Sequence, residues 1–417
     1  MKKLVSFALV MCMVLSLAAG IASAEEKTHL VLSAGSDYQT LVDAFMAANP
    51  DVDVEIAPTD TATIEQVHKT AIAAGDPADV CTYWGTRVNT FYDLGMCKDL
   101  RDYLSEETIA KLSTAMLEPC LGENGEVWAV PYNAVYHVMF YNKDMMTQYG
   151  FEEPKTWDDL TTIFAKLKED DIFGFCTNSV SMQDCAYGLA YSELEAIEPG
   201  LSYKVASGEV SVLPGTPAGD AIAKVINQMM DWYKAGYWYP GDGGINCSSD
   251  DANAAFAQGR TMFIFNFSGA LGKHVNSCNF EIGWMMKPVR EEGMTSYENT
   301  EPNVFFIPVN VEEDQAKAAA RLLEFMVSQE GQQITVDKGF VPAVPGATYA
   351  NVHPVLEGII ANLDSGRIVS GINPTRTSSE MQTFIKKQVF AAPCAGIMTV
   401  DQTLEEMERI RLEAIGQ

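Results

Sequence analysis

Aromatic rings and carboxylates stand where the first three apolar segments of the sequence end. Asp37 and Tyr38 follow the first segment, Asp60 follows the second, and Trp84 ends the third. Aromatic side chains supply large, rigid contact surfaces, and carboxylates accept hydrogen bonds. Ligand pockets combine apolar lining with a few well-placed polar groups, so these residues suit a binding site.

The sequence has no recognisable catalytic constellation. Its five histidines are far apart and include no H-E-x-x-H pair. G-x-S-x-G, Walker and G-x-G-x-x-G motifs are also absent. Carboxylates are abundant, with 56 Asp and Glu residues, but abundance does not place two of them around a scissile bond. We therefore expect no enzymatic activity, no cofactor and no metal site.

The segments that carry the candidate residues alternate between strand-like and helix-like patterns. In order they are HLVLSAG, DYQTLVDAFMAANP, DVDVEI, TATIEQVHKTAIAAG and DPADVCTYWG. A strand–helix–strand–helix–strand order predicts a parallel sheet with right-handed crossovers. Such sheets bind ligands in the crevice beyond the carboxyl ends of their strands, which is where the candidate residues stand.

Further along the chain, PKTWDDL predicts the start of a helix. Thr156 and Asp159 have capping-box spacing, and apolar residues follow at helical spacing from Leu160 to Leu167. More helices are predicted at 220–236 and 312–338, with strands between them. No internal repeat or linker divides the chain, so we predict two interleaved lobes.

The first 24 residues have the pattern of a secretory signal. Two lysines precede an apolar run, and Ala22-Ser23-Ala24 forms an Ala-x-Ala cleavage site. The run is short for a membrane span of about 20 residues, so we expect cleavage rather than a retained anchor. In LSLAAG, Gly20 stands where a lipobox would place its acylated cysteine, so we expect export without lipid.

The mature chain is strongly acidic. Cleavage would leave 393 of the 417 residues and, by removing two lysines, change the formal net charge from −28 to −30. Such a surface repels phosphate, which argues against nucleic acid and anionic membranes as partners. A hydrophobic content of 47% excludes disorder, and the length indicates two large lobes.

Eight cysteines remain in the mature chain, because Cys12 lies in the signal. An even number in an exported protein permits disulfides, with 105 possible pairings. No C-x-x-C spacing occurs, which removes the usual thioredoxin-like and zinc-ribbon patterns. Disulfides and free buried thiols both remain open.

Six segments stand in a characteristic order over nearly the whole mature chain. They are FMAANPDVDVEI, AAGDPADVCTYWG, VPYNAVYHVMFYNKDMMTQYGFEEPKTWDDL, FAQGRTMFIFNFSGAL, AARLLEFMVSQEGQQITVDKGFVPAV and MTVDQTLEEMERI. In this order they resemble the extracellular solute-binding proteins of carbohydrate ABC transporters, the maltose-binding-like family 1.

This resemblance implies an α/β protein with a two-lobe, type II periplasmic-binding-protein-like fold, whose interleaved lobes are joined by a hinge. It implies an N-terminal lobe of residues 25–133 and 285–340, and a C-terminal lobe of residues 134–284 and 341–417. The ligand would be a mono- or oligosaccharide held between the lobes, and the partner the permease of an ABC importer. We expect a monomer that is periplasmic or extracellular and is associated with the cell surface through the transporter.

The resemblance also extends the set of candidate ligand-binding residues. It adds Tyr132 and Asn133 where the chain crosses between lobes, Asn266 and Phe267 after a second-lobe strand, and the loop residues Asn303 and Arg376. The family's Gly-Ser-Trp after that strand is replaced here by Asn266-Phe267-Ser268, which changes a frequent sugar-stacking position. The full set is Asp37, Tyr38, Asp60, Trp84, Tyr132, Asn133, Asn266, Phe267, Asn303 and Arg376.

Other interpretations remain open. Asp37 and Asp60 suit helix starts, Trp84 suits packing between the lobes, and Arg376 suits a surface loop. The function alternatives are a receptor for a non-sugar solute, such as a polyol phosphate or polyamine, and an exported carbohydrate-active enzyme.

Overall fold

The computed structural model describes residues 27–61, 63–177, 182–206, 208–362, 367–370, 384 and 388–414. The predicted signal segment and Arg376 lie outside these described residues. Within the described ranges, no helix has both the length and the apolar character needed to cross a membrane.

Ten strands in the described residues form one mixed sheet. They are β1 (Thr28–Ala34), β2 (Val52–Pro58), β3 (Val80–Trp84), β4 (Val130–Asn142), β5 (Phe173–Cys176), β6 (Thr261–Phe267), β7 (Ile282–Met285), β8 (Glu298–Phe306), β9 (Val341–Pro342) and β10 (Ile368–Ser370). The strand order is β2-β1-β3-β8-β4-β6-β5, with β10 beside β8, and β7 and β9 beside β4. β1 pairs in parallel with β2 and β3, which confirms the predicted parallel unit.

Strand β4 changes its antiparallel partner partway along its length. Its first part pairs antiparallel with β8 as far as Tyr136 and Thr300, and its second part pairs with β6 from His137 and Phe267 onward. The strand is buried along almost its whole length, as expected when both faces of a sheet are covered. We interpret this change of partner at residues 136–137 as the junction between the lobes.

Helices cover the faces of the sheet. In chain order they are α1 (Gln39–Ala48), α2 (Ile64–Ala74), α3 (Asn89–Tyr92), α4 (Glu106–Ala110), α5 (Thr114–Leu117), α6 (Lys143–Tyr149), α7 (Trp157–Lys168), α8 (Met182–Ile197), α9 (Leu201–Ala206), α10 (Pro217–Lys234), α11 (Ser249–Ala257), α12 (Leu271–Ser277), α13 (Glu313–Met326), α14 (Gln329–Asp337), α15 (Pro354–Ile360), α16 (Ala391–Cys394) and α17 (Val400–Ala414).

The predicted capping box is confirmed at the start of α7. Thr156 Oγ1 accepts from the Asp159 N–H at 3.2 Å, and Asp159 Oδ2 accepts from the Thr156 N–H at 2.9 Å.

Apolar side chains form a core on each face of the first-lobe sheet. On one face, Phe45 of α1 meets Phe325 of α13 with ring centres 5.7 Å apart. On the other face, Phe91 of α3 and Phe306 of β8 lie 4.9 Å apart. Burial on both faces explains why β1 and β3 are predominantly apolar.

The second lobe has its own aromatic core. Phe164 of α7 and Phe175 of β5 both pack against Trp232 of α10, at ring distances of 5.4 and 5.8 Å. Helix α10 also contacts α8, α16 and α17. The last helix of the chain therefore packs on the second lobe, while the exact lobe boundaries stay a prediction.

The seven cysteine side chains that the structure describes carry free thiols. They are Cys81, Cys97, Cys120, Cys176, Cys247, Cys278 and Cys394, and the first five are buried. Burial raises the pKa of the Cys81, Cys97, Cys120 and Cys176 thiols, because a thiolate would have to form away from water. The sequence left disulfides and free buried thiols open. At these seven cysteines the structure has free thiols, and five of them are buried.

Candidate ligand cleft

The carboxyl ends of β1 and β2 open into a groove of about 610 Å³. Its walls are formed by residues 34–37, 39, 56 and 58–60, so it contains both Asp37 and Asp60. These two predicted residues follow neighbouring parallel strands, whose carboxyl ends lie at the same edge of the sheet. The fold therefore brings Asp37 and Asp60 to one exposed groove.

Asp37 also stabilises the start of α1. Its Oδ1 accepts from the Gln39 N–H at 2.9 Å, and the Lys338 ammonium lies 3.9 Å from its Oδ2. The Asp60 side chain is exposed, and its backbone carbonyl accepts from the Thr63 N–H at 3.0 Å ahead of α2. Both residues thus combine a role at a helix start with an accessible position in the groove.

Trp84, Asn303 and Asn133 form a row across three neighbouring strands. Trp84 of β3 is the register partner of Asn303 of β8, and Asn303 is the partner of Asn133 of β4. The Asn303 amide donates to Asn133 Oδ1 at 2.6 Å. Trp84 and Asn303 are half-buried, whereas Asn133 is only 4% exposed. The row presents an aromatic ring beside amide groups.

The Trp84 ring lies among polar neighbours as well as aromatic ones. The Arg87 guanidinium lies 4.1 Å from the centre of the ring, and Tyr83 meets Trp84 edge-on at 5.1 Å. The Tyr83 hydroxyl donates to Glu65 Oε2 at 2.6 Å, and Lys69 donates to Glu65 Oε1 at 2.8 Å. Burial is the main cause that raises the pKa of Tyr83, so this hydroxyl remains a hydrogen-bond donor.

Tyr38 and Tyr132 lie within the first-lobe core. They are 7% and 3% exposed, and their rings meet edge-on at 5.9 Å. Both also contact Phe305, at 5.1 and 5.6 Å. Burial raises the pKa of Tyr132 to about 12. The structure thus places these predicted residues behind the row rather than at its surface.

In the second lobe, the predicted pair Asn266 and Phe267 ends β6. The Asn266 amide donates to Asn253 Oδ1 at 3.1 Å and lies 3.3 Å from His274 Nε2, so this side chain is held in the interior. Phe267 is half-buried and pairs with His137, at the junction between the lobes. Of these two side chains, Phe267 is therefore the one with accessible surface.

A buried ion pair also lies at the junction. Lys287 and Glu298 are 0% and 2% exposed, and the Lys287 ammonium contacts both Glu298 Oε2 and the carbonyl oxygen of His137. Glu298 Oε1 accepts from the Lys287 backbone N–H at 2.7 Å. Burial raises the pKa of Glu298, and the Lys287 ammonium limits that rise. The pair connects three chain segments where β4 changes partner.

Two features of this region were not anticipated from the sequence. The sequence could have indicated Arg87 as a site residue, because it stands three residues after Trp84 at a strand end. The Lys287–Glu298 pair had none, since its connection to His137 spans 150 residues of sequence. Within the described part of the chain, no cluster of three or more His, Cys, Asp or Glu side chains is placed to hold a metal ion.

This chain is similar to known proteins both in sequence family and in fold. Residues 40–353 match the family described as bacterial extracellular solute-binding protein. A family 1 extracellular solute-binding protein from Bifidobacterium longum subsp. infantis has the same fold, with a TM-score of 0.76 at 17% identity over 92% of this chain and 98% of that one. The molecule thus has the two-lobe α/β fold of these proteins.

Two curated relatives match shorter stretches. A maltotriose-binding protein of Pyrococcus abyssi is 26% identical over 170 residues, which are 39% of this chain and 36% of that protein. The sn-glycerol-3-phosphate-binding periplasmic protein UgpB of Shigella flexneri is 28% identical over 149 residues, 33% of this chain and 34% of that protein. The chain therefore spans about a third of the length of each of these relatives.

Proposed function

The chain belongs to the bacterial extracellular solute-binding protein family, and from this premise we propose that it captures a mono- or oligosaccharide between its lobes and delivers it to an ABC importer. The maltotriose-binding relative supports the ligand class. Two observations carry the proposal: the row of Trp84, Asn303 and Asn133, and the groove that contains Asp37 and Asp60. Trp84, Asp37 and Asp60 all stand at the carboxyl ends of the parallel strands β1–β3.

This row matches the chemistry of a carbohydrate. A sugar presents hydroxyl groups around apolar C–H faces, so it needs flat aromatic rings for its faces and carboxylates or amides for its hydroxyls. Trp84 and Phe267 supply rings from opposite lobes, while Asn303, Asp37 and Asp60 supply polar groups. We propose these five as the residues with direct access to ligand.

Closure of the lobes would complete the site. Strand β4 runs through the junction, and a change of a few backbone angles near residues 136–137 would rotate one lobe on the other. A ligand that contacts both lobes then shifts the population toward the closed form. Such a receptor binds the ground state of its solute and releases it unchanged, whereas an enzyme stabilises a transition state.

The decisive experiment combines binding with a test for turnover. A thermal-shift screen of mono- and oligosaccharides should find a ligand, because binding to the native state raises apparent stability. Prolonged incubation with the best ligand, followed by chromatography, should return it unchanged and in full. Repeated conversion to a cleaved product, abolished by Asp60→Asn, would replace the receptor with the carbohydrate-active enzyme.

A second candidate is a receptor for a polyol phosphate. The sn-glycerol-3-phosphate-binding relative favours it, at an extent of matching similar to that of the maltotriose-binding relative. The same thermal-shift screen separates the two when glycerol phosphate is included. Stabilisation by glycerol phosphate alone, with no response to any sugar, would establish this second candidate.

We also propose export after cleavage at Ala24, with no lipid anchor, and a monomer that docks on permease subunits. The motivating features are the Ala22-Ser23-Ala24 site and Gly20 at the lipobox position. Intact-mass analysis of protein made by an exporting host should give a chain that begins at Glu25. A diacylglyceryl group or an uncut signal in the spectrum contradicts this proposal.

A further inference from the structure

The Arg87 guanidinium is held beside the candidate ligand row without an ion pair among the described residues. Arg87 ends the short 3-10 turn Gly85–Arg87 that follows β3, and its guanidinium lies 4.1 Å from the Trp84 ring centre and 5.4 Å from that of Tyr83. Its Nε is buried without a hydrogen-bond acceptor among the described residues. Cation–π contacts therefore orient a charged group that forms no ion pair there.

This state is exceptional among the arginines that the structure describes. Seven of the eight arginines in the described ranges have a carboxylate or another hydrogen-bond acceptor; examples are Arg101 with Asp99 at 2.6 Å and Arg321 with Asp51 at 2.7 Å. The chain contains twice as many acidic as basic residues, 56 against 28, so acceptors are abundant. An arginine left unpaired in such a chain indicates a partner from outside it.

Two carboxylates near Tyr83 already interact with other groups. The charges of Glu65, Glu301 and Arg87 all influence the pKa of the Tyr83 hydroxyl. Glu65 accepts hydrogen bonds from Lys69, Tyr83 and Thr90, and Glu301 also has interactions of its own. Neither forms an ion pair with Arg87. The Arg87 guanidinium therefore retains capacity for an additional anion.

We propose that Arg87 binds an anionic substituent of the ligand, so that the preferred solute is an acidic carbohydrate with a carboxylate or phosphate group. The inference rests on the proposed function, because it places the sugar ring on the Trp84 row. A guanidinium presents parallel N–H donors that match the oxygens of a carboxylate or phosphate. The aromatic contacts hold its plane in advance, which reduces the entropy lost on binding.

The expected consequence is selectivity between matched acidic and neutral sugars. Hydrogen bonds to charged groups are stronger than neutral ones, and we expect about a tenfold to hundredfold preference for the acidic member of each pair. Arg87→Met should reduce this ratio to near one. Arg87→Lys should retain part of it, because an ammonium keeps the charge but lacks the planar pair of donors.

Calorimetric titration of the full-length mature protein tests this inference. The probes are galacturonate and galactose, trigalacturonate and galactotriose, a hexose phosphate with its parent hexose, and inorganic phosphate as a bare anion. Circular dichroism of both variants confirms that they are folded. Preference for uronates or for hexose phosphates supports the proposal and identifies the anionic group, and this preference should weaken with added salt.

The opposite outcomes separate this inference from the proposed function. Equal or better binding of neutral sugars, with the same acidic-to-neutral ratio in Arg87→Met, overturns the anion site and leaves the carbohydrate receptor standing. Binding of inorganic phosphate as tightly as the hexose phosphate overturns it too, because the sugar then contributes nothing. Absence of binding to every sugar in the panel overturns both.

Discussion

Replacing Lys287 with methionine should lower the free energy of unfolding by about 3–5 kcal/mol. The substitution keeps an unbranched side chain, one atom shorter, but leaves the Glu298 carboxylate buried without its ammonium partner. It also removes the donor to the His137 carbonyl at the junction between the lobes. Urea denaturation followed by circular dichroism and by tryptophan fluorescence measures the loss.

The double variant Lys287→Met/Glu298→Gln is the matched control. A glutamine carries no charge, yet its side-chain oxygen can still accept from the residue 287 backbone N–H, as Glu298 Oε1 does now at 2.7 Å. The double variant should therefore regain more than half of the stability lost in the single one, since removing both charges of a buried pair costs far less than stranding one. A single variant within about 1 kcal/mol of the native protein, or a double variant no better than the single, contradicts the charged pair.

Replacing Trp84 with alanine should weaken sugar binding by about 1–3 kcal/mol, the scale of a lost aromatic contact at a binding hot spot. This corresponds to a factor of about 5 to 150 in Kd. The ring is half-buried at a strand end and lies at the edge of the core that contains Phe91 and Phe306. The fold should therefore survive, and calorimetric titration with the best ligand measures the change.

Trp84→Phe distinguishes a stacking surface from a packing residue. Phenylalanine retains a flat ring for a sugar face and for Arg87, so this variant should bind with a Kd between those of the native protein and the alanine variant. Thermal unfolding of the ligand-free variants reports any loss of packing against Tyr83. Unchanged affinity in Trp84→Ala would remove this residue from the proposed site.

Local patterns in the sequence were sufficient to predict these secondary-structure elements. The strand–helix alternation of residues 28–84 and the capping box at Thr156 are both present in the structure as predicted. Each depends on residues within one helix turn or one strand, because side-chain periodicity and cap hydrogen bonds are short-range properties. The strand ends followed from these elements, and with them the neighbouring positions of Asp37 and Asp60 in one groove.

Side-chain environments within the site required the tertiary structure. Tyr38 and Trp84 have the same sequence signature, an aromatic residue at the end of an apolar segment, yet Tyr38 is covered by Tyr132 and Phe305 while Trp84 is half-buried beside Arg87. The difference arises from strand order, since β8 and β4 bring Phe305 and Tyr132 under α1 from more than 90 residues away in the chain.

The sequence by itself determined the parallel β1–β3 unit, the start of α7 and the positions of Asp37 and Asp60 at neighbouring strand ends. Only the tertiary structure decided that β4 changes partner at residues 136–137, that Lys287 and Glu298 meet there, and that the Arg87 guanidinium lies over the Trp84 ring with no ion pair in the described residues. The physical reason is the range of the interactions. Helix caps and strand periodicity act between neighbours in the chain, whereas burial and charge pairing depend on which distant segments pack together.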